Sequence, residues 1–91
     1  MGMFRVFFSS HAERVFAAIA REEQLRIVGE LGRLAQNSTW HRRVKKLRGS
    51  ENRYRLRAGR WRILFTLRAN EIEVADIFLK KGKSDYRRRI K

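Results

Sequence analysis

Apolar and polar positions alternate singly through the middle of the chain. Tyr54, Leu56 and Ala58 share one parity, and Trp61, Ile63, Phe65 and Leu67 continue it after a break at Ala58-Gly59-Arg60. Successive side chains on a strand point to opposite faces, so this stretch predicts a β-hairpin with one apolar face. Gly59 suits the turn because it takes positive φ without steric cost. Arg55, Arg57 and Arg62 fall on the other parity and project away from the core. Glu71 to Leu79 predicts a further strand after a turn at Asn70, with Ile72 and Val74 alternating against Glu73, Ala75 and Ile77. Phe4 to Phe8, short and aromatic with one β-branched residue, predicts a strand near the start.

The period changes between these strands. Ala12, Val15, Phe16 and Ile19 fall at i, i+3, i+4 and i+7, one face of a helix running to about Ala20. Ser10-His11-Ala12-Glu13 ahead of it matches a capping box, in which the serine and glutamate side chains satisfy orphan backbone N–H groups. Glu22 and Glu23 open a second helix, where negative charge suits the dipole. Its stripe is Leu25, Val28, Leu31 and Ala35, widened by Ile27 and Leu34. The short link between the two predicts an αα-hairpin. Asn37 to Asn52 is polar and basic without clear period, and Asn37-Ser38 stops the helix. Lys80-Lys81-Gly82-Lys83 breaks the last strand, and a basic tail around Tyr86 follows. The order is β-α-α-β-β-β: an α+β fold, with a helical hairpin packed on one face of a small, mainly antiparallel sheet and the arginine face open. One domain over 1–91 is expected.

Charge changes this picture more than hydropathy does. The chain has 91 residues, 23 Lys+Arg against 9 Asp+Glu, and a formal net charge of +14. Such an excess repels itself, and a polyanionic partner is the usual reason to tolerate it. Nucleic acid is the first expectation, ahead of an acidic protein or an anionic membrane, since no long basic amphipathic helix stands out. There is no cysteine, which excludes disulfides and thiolate metal sites. His11 and His41, with few clustered carboxylates, give no metal-ligand spacing. No run of about 20 apolar residues offers a transmembrane helix, and the start of the chain lacks the regions of a secretory signal. A cytoplasmic protein without cofactor is expected.

Two runs then become recognisable: Val44-Lys45-Lys46-Leu47-Arg48-Gly49, and Tyr54-Arg55-Leu56-Arg57-Ala58-Gly59-Arg60-Trp61-Arg62-Ile63-Leu64-Phe65. Together with the Phe8-Ser9-x-x-Ala12 helix start and a basic strand end followed by a tyrosine, they resemble the signature of the RelE/ParE superfamily of toxins from type II toxin–antitoxin systems. The resemblance spans roughly residues 4 to 87 and is more specific for the superfamily than for an activity within it. RelE-like members are mRNA interferases, cutting messages in the ribosomal A site. ParE-like members inhibit DNA gyrase and generally lack the basic and tyrosine set. Both are held inactive by an antitoxin that wraps the toxin.

By this resemblance Arg55 and Arg57 match two basic residues of the second strand, Arg62 the arginine of the third, Lys80 or Lys81 the basic residue ending the fourth, and Tyr86 the C-terminal tyrosine that stacks on a message base. RelE itself has lysines at the positions of Arg55 and Arg57 and an arginine at that of Lys80. The filled set implies a ribosome-dependent, metal-independent mRNA endoribonuclease; the alternative is a ParE-like gyrase inhibitor. An acidic antitoxin in a hetero-oligomer, the ribosome with its rRNA, and mRNA are the implied partners.

Metal-free RNA cleavage uses the neighbouring 2′-OH as nucleophile. It needs a proton acceptor, positive charge on the developing phosphorane, and an acid for the 5′-oxygen. Arg62 suits the charge, since its planar fork grips phosphate and stays protonated. For the same reason an arginine is a poor base. Lys80, Lys81 or Lys83, crowded by cations, or His41 in the loop are the candidates for proton transfer. Lys45, Lys46, Arg48, Lys83 and Arg87 are further cations expected to meet RNA phosphates. His11 is expected to be structural or solvated, and Trp40 and Trp61 to pack on the core or a hinge.

Overall fold

The structure, a computed structural model, describes residues 4–36, 44–49 and 51–80. The elements run β1 (Arg5–Phe8), α1 (Ser10–Ala17), α2 (Arg21–Gln36), β2 (Val44–Lys46), β3 (Arg53–Ala58), β4 (Trp61–Arg68) and β5 (Glu71–Leu79). The five strands form one sheet in the order β1-β5-β4-β3-β2. β1 pairs with β5 in parallel, and every other pairing is antiparallel. The architecture is the expected α+β one with a strand added. β2 lies in the stretch read as having no period. Three residues, two of them lysine, carry no alternation, yet Val44 opposite Leu56 and Lys46 opposite Tyr54 dock them on the edge of β3.

The helical hairpin covers one face of the sheet. Ala12, Ile27, Leu31 and Leu34 from the helices bury against Leu56, Ala58, Ile63, Phe65, Ile72, Val74 and Ile77. The hairpin parity therefore holds on its apolar side. Gly59 turns with φ 63°, and a Cβ there would lie 2.9 Å from the Arg26 side chain. The positive φ is what calls for the glycine, since the Arg26 side chain is flexible and can give way.

Three local expectations are corrected. The N-cap of α1 is Ser9: its hydroxyl accepts from the Ala12 N–H at 3.0 Å. Ser9 also donates to the Ala75 carbonyl at 3.1 Å, so one side chain caps the helix and ties it to β5. α1 ends at Ala17, because the N–H groups of Ala18 and Ile19 fold back onto the carbonyls of Val15 and Phe16. On α2, Ile27, Leu31 and Leu34 face the sheet, whereas Leu25 and Val28 turn outward at 60% and 51% exposure. Six apolar positions along α2 span more of its circumference than the sheet can cover.

The last correction shapes the site. Phe65 pairs with Val74 but Leu64 pairs with Asp76, so β5 bulges at Ala75. A bulge inserts one residue and reverses the facing of all that follow. Ile77 thereby enters the core beside Ile72 and Val74, while Asp76 and Phe78 turn to the opposite face.

Candidate functional site

The face away from the helices is a grid set by register. One row across it reads Lys45, Arg55, Leu64, Asp76. The next, toward the hairpin turn, reads Arg57, Arg62, Phe78. In the other direction lie Arg53, Thr66 and Glu73, and then Arg68 and Glu71. Its floor is apolar, because Leu47, Leu64 and Phe78 bury against one another. Cations dominate on β2, β3 and β4, and carboxylates line β5.

Arg57 stands directly opposite Arg62. Like charges in a cross-strand pair destabilise a sheet. Both also line an open cavity of about 660 Å³ with Arg26, Arg33, Glu30 and Gly59. Four guanidinium groups and one carboxylate around one cavity leave an excess of positive charge there. Glu30, 8% exposed, is paired with Arg33 at 2.7 Å. Arg26 and Arg33 were not singled out in the sequence. The signal for them was their i, i+7 spacing, which sets both on one face of α2 with Glu30 between.

Arg62 is held at the turn. Its Nη1 donates to the carbonyls of Gly59 and Trp61, each at 3.1 Å. The turn in turn is pinned to α2. The half-buried Trp61 indole N–H donates to Glu23 Oε1 at 2.7 Å, and Arg60 lies 3.8 Å from the other oxygen. Trp61 packs against the core, as expected, and adds this clamp. Lys80 follows β5 and donates its backbone N–H to the Arg60 carbonyl at 3.2 Å, which brings it to the same end of the sheet as Arg62.

The structure therefore gathers Arg55, Arg57 and Arg62 on one face, with Lys45 in the same row as Arg55 and Lys80 at the end of β5. Lys46 pairs with Tyr54, which packs on the core, and so belongs to the opposite face. Arg48 is exposed in the turn beyond β2. Lys81, Lys83, Tyr86, Arg87, His41 and Trp40 lie outside the described residues.

Overall shape can now be compared with known proteins. The archaeal RelE of the RelE–RelB complex from Pyrococcus horikoshii OT3 superposes with a TM-score of 0.75 at 17% identity, over 91% of this chain and 100% of that one. The isolated E. coli RelE toxin gives 0.73 at 14% identity, over 96% and 95% of the two chains. The RelBE2 toxin–antitoxin complex from Mycobacterium tuberculosis gives 0.72 at 18%, over 86% and 99%. This chain has the RelE-like toxin fold. No protein-family model matches the sequence, nor does any curated protein. The RelE-like fold is retained here at 14–18% identity to these three, because packing needs apolar parity rather than particular residues.

A second pocket, lined from the open face and the start of α1, is amphoteric. It has a volume of about 380 Å³, and its lining includes His11, Arg53, Leu64, Arg68, Glu73 and Asp76. His11 Nε2 lies 2.8 Å from Asp76 Oδ1. The histidine expected to be structural or solvated is thus half exposed and paired with a largely buried carboxylate. Among the described residues, no helix is long and apolar enough to cross a membrane.

Proposed function

We propose that this protein is the toxin of a toxin–antitoxin pair and cleaves messenger RNA on the ribosome by a metal-independent route. The observation that carries the reading is the apposition of Arg57 and Arg62, with Arg26 and Arg33 lining the same cavity. Stability alone does not select that cluster; a polyanion that neutralises it does. The RelE-like fold supports the toxin assignment, and the resemblance of the 44–65 segment to RelE supports the activity.

In this mechanism the message lies across the open face. The 2′-oxygen attacks the adjacent phosphorus, and negative charge develops on the non-bridging oxygens. Arg62, fixed by two backbone carbonyls, meets that charge without reorganising, which is what makes fixed cations effective. Arg55 and Arg57 hold the flanking backbone. The Lys80 ammonium, at the same end of the sheet, supplies a proton to the departing 5′-oxygen. Tyr86 stacks on a base, a contact suited to single-stranded RNA, and Lys81, Lys83, Arg87, Lys45, Lys46 and Arg48 add charge toward rRNA. An acidic antitoxin covers the cationic surface, and the complex resides in the cytoplasm.

The test is cell-free translation followed by primer extension on the message. Wild-type protein produces breaks within the translated region, and Arg62→Ala lowers the cleavage rate about 10²- to 10³-fold. An intact message with wild-type protein, accompanied by trapped gyrase–DNA cleavage complexes, would instead establish the gyrase-inhibitor reading.

A further inference from the structure

We propose that His11, oriented by Asp76, is the proton acceptor for the attacking 2′-hydroxyl. This inference rests on the RNA-cleavage reading and supplies the group that the arginines cannot provide.

A carboxylate only accepts hydrogen bonds, so the 2.8 Å contact requires His11 Nε2 to carry the proton. The neutral ring then has its lone pair on Nδ1, the nitrogen able to take a proton. A carboxylate behind an imidazole fixes the tautomer and orients the ring. Asp76 is itself held, since Oδ1 also accepts from the Ile77 N–H at 2.8 Å.

Three features bring the pair together. The bulge at Ala75 turns Asp76 to the open face. Ser9, bonded through its side chain to Ala75 and through its N–H to Val74, seats the start of α1 over that same bulge. His11 follows in the first turn of the helix, half exposed and in the wall of the amphoteric pocket. Neither residue is part of the buried apolar cluster.

The pair is also placed for the chemistry. Asp76 pairs with Leu64, one step along the strands from Arg62 and Phe78, and that step is about 6.7 Å. Arg55 lies across Leu64 from Asp76, two strand spacings or about 9.6 Å away. Arg55 and Arg62 flank the Leu64–Phe78 floor at these spacings, and His11 lines the pocket that reaches Leu64 from the side of Arg53 and Arg68; in this proposal the phosphate sits over Leu64, between them. Lys80 lies four residues beyond Asp76, just past the end of β5 and about 13 Å along its direction, on the far side of that phosphate. In-line displacement needs base and acid on opposite sides.

His11 Nδ1 takes the 2′-OH proton, the 2′-oxygen bonds to phosphorus, and the bond from phosphorus to the 5′-oxygen breaks. The 5′-oxygen takes a proton from the Lys80 ammonium. The products are a 2′,3′-cyclic phosphate and a 5′-hydroxyl, and solvent returns the protons. The charged groups around His11 are Arg53 of β3, Arg68 of β4, Glu73 and Asp76 of β5, and Glu13 and Arg14 of its own helix.

The test is single-turnover cleavage on programmed ribosomes with the full-length protein across a pH series. The wild-type rate rises through the range where imidazoles deprotonate. His11→Gln lowers it about 10²- to 10⁴-fold and abolishes that rise, with ribosome binding and thermal unfolding unchanged. Asp76→Asn costs less, about 10-fold, because the imidazole remains but is no longer held in one tautomer. A merely structural role would move unfolding and leave the profile alone. Active wild-type protein with a His11→Gln variant of equal rate and equal profile overturns this inference and spares the cleavage reading; inactive wild-type protein overturns both.

Discussion

The two faces of this sheet are built from the same strands to opposite purposes. Among the described residues, the helix-covered face joins seven buried apolar residues of the strands to four of the helices in one cluster. On the open face the described residues bury a cluster of three, Leu47, Leu64 and Phe78, and surround it with arginines, lysines and carboxylates. One face exchanges water for close packing, which is where stability comes from. The other keeps its charges accessible and sets like charges opposite each other, against the interest of stability. The contrast supports placing the proposed function on the parity that the core did not need.

The contrast breaks most sharply under a pair of substitutions. Phe65 is 1% exposed on the covered face, and Phe65→Ala should cost about 3–5 kcal/mol in chemical denaturation. Arg62→Ala, on the same strand and the other face, should lose its 10²- to 10³-fold in cleavage while leaving the denaturation midpoint nearly unmoved. If both variants lose stability alike, the division of labour between faces is wrong.

A smaller effect should appear where the faces are coupled. Glu23 joins α2 to the hairpin turn through the Trp61 indole at 2.7 Å. Its contact with Arg60, at 3.8 Å and largely exposed, contributes little. Glu23→Gln should therefore cost about 1 kcal/mol through the weakened indole hydrogen bond. It should also lower cleavage several-fold by loosening the turn that holds Arg62. A drop in stability with unchanged cleavage would show that the turn is rigid without this clamp.

The smallest effect tests the frame common to both faces. Ala69 turns between β4 and β5 with φ 50°, a conformation that costs an alanine about 1–2 kcal/mol. Ala69→Gly relieves that strain but loosens the unfolded chain, for a net gain of about 0.5 kcal/mol in thermal unfolding. Cleavage should not change, since Ala69 lies at the far end of β4 from Arg62. A loss of stability would mean that the turn is not strained.

Much of the fold and part of the site are legible in the residues. The parity of Tyr54 to Leu67 is enough to place Leu56, Ile63 and Phe65 inward and Arg55, Arg57 and Arg62 outward, because a strand offers only two directions. Glu22 and Glu23 mark the start of α2, and the spacing of its apolar residues marks a helix, but not which third of its circumference the sheet would cover. β2 left no trace, since a three-residue edge strand owes its existence to the partner it pairs with. Arg26 and Arg33 could be seen as helix-surface cations and no more until α2 was laid against the hairpin.

Asp76 and His11 mark the boundary most clearly. By simple alternation Asp76 belongs with Ile72 and Val74, and Ile77 with Glu73. The sequence determined the strand, its neighbours, the excess of positive charge and which hairpin residues bear it, because each follows from local period or composition. Only the tertiary structure decided the bulge at Ala75. It is set by how β5 must register with β4 to bury Ile77 and Phe78 on opposite faces. A bulge is a compromise between two strands and the layers on either side of them, so no window of sequence contains it.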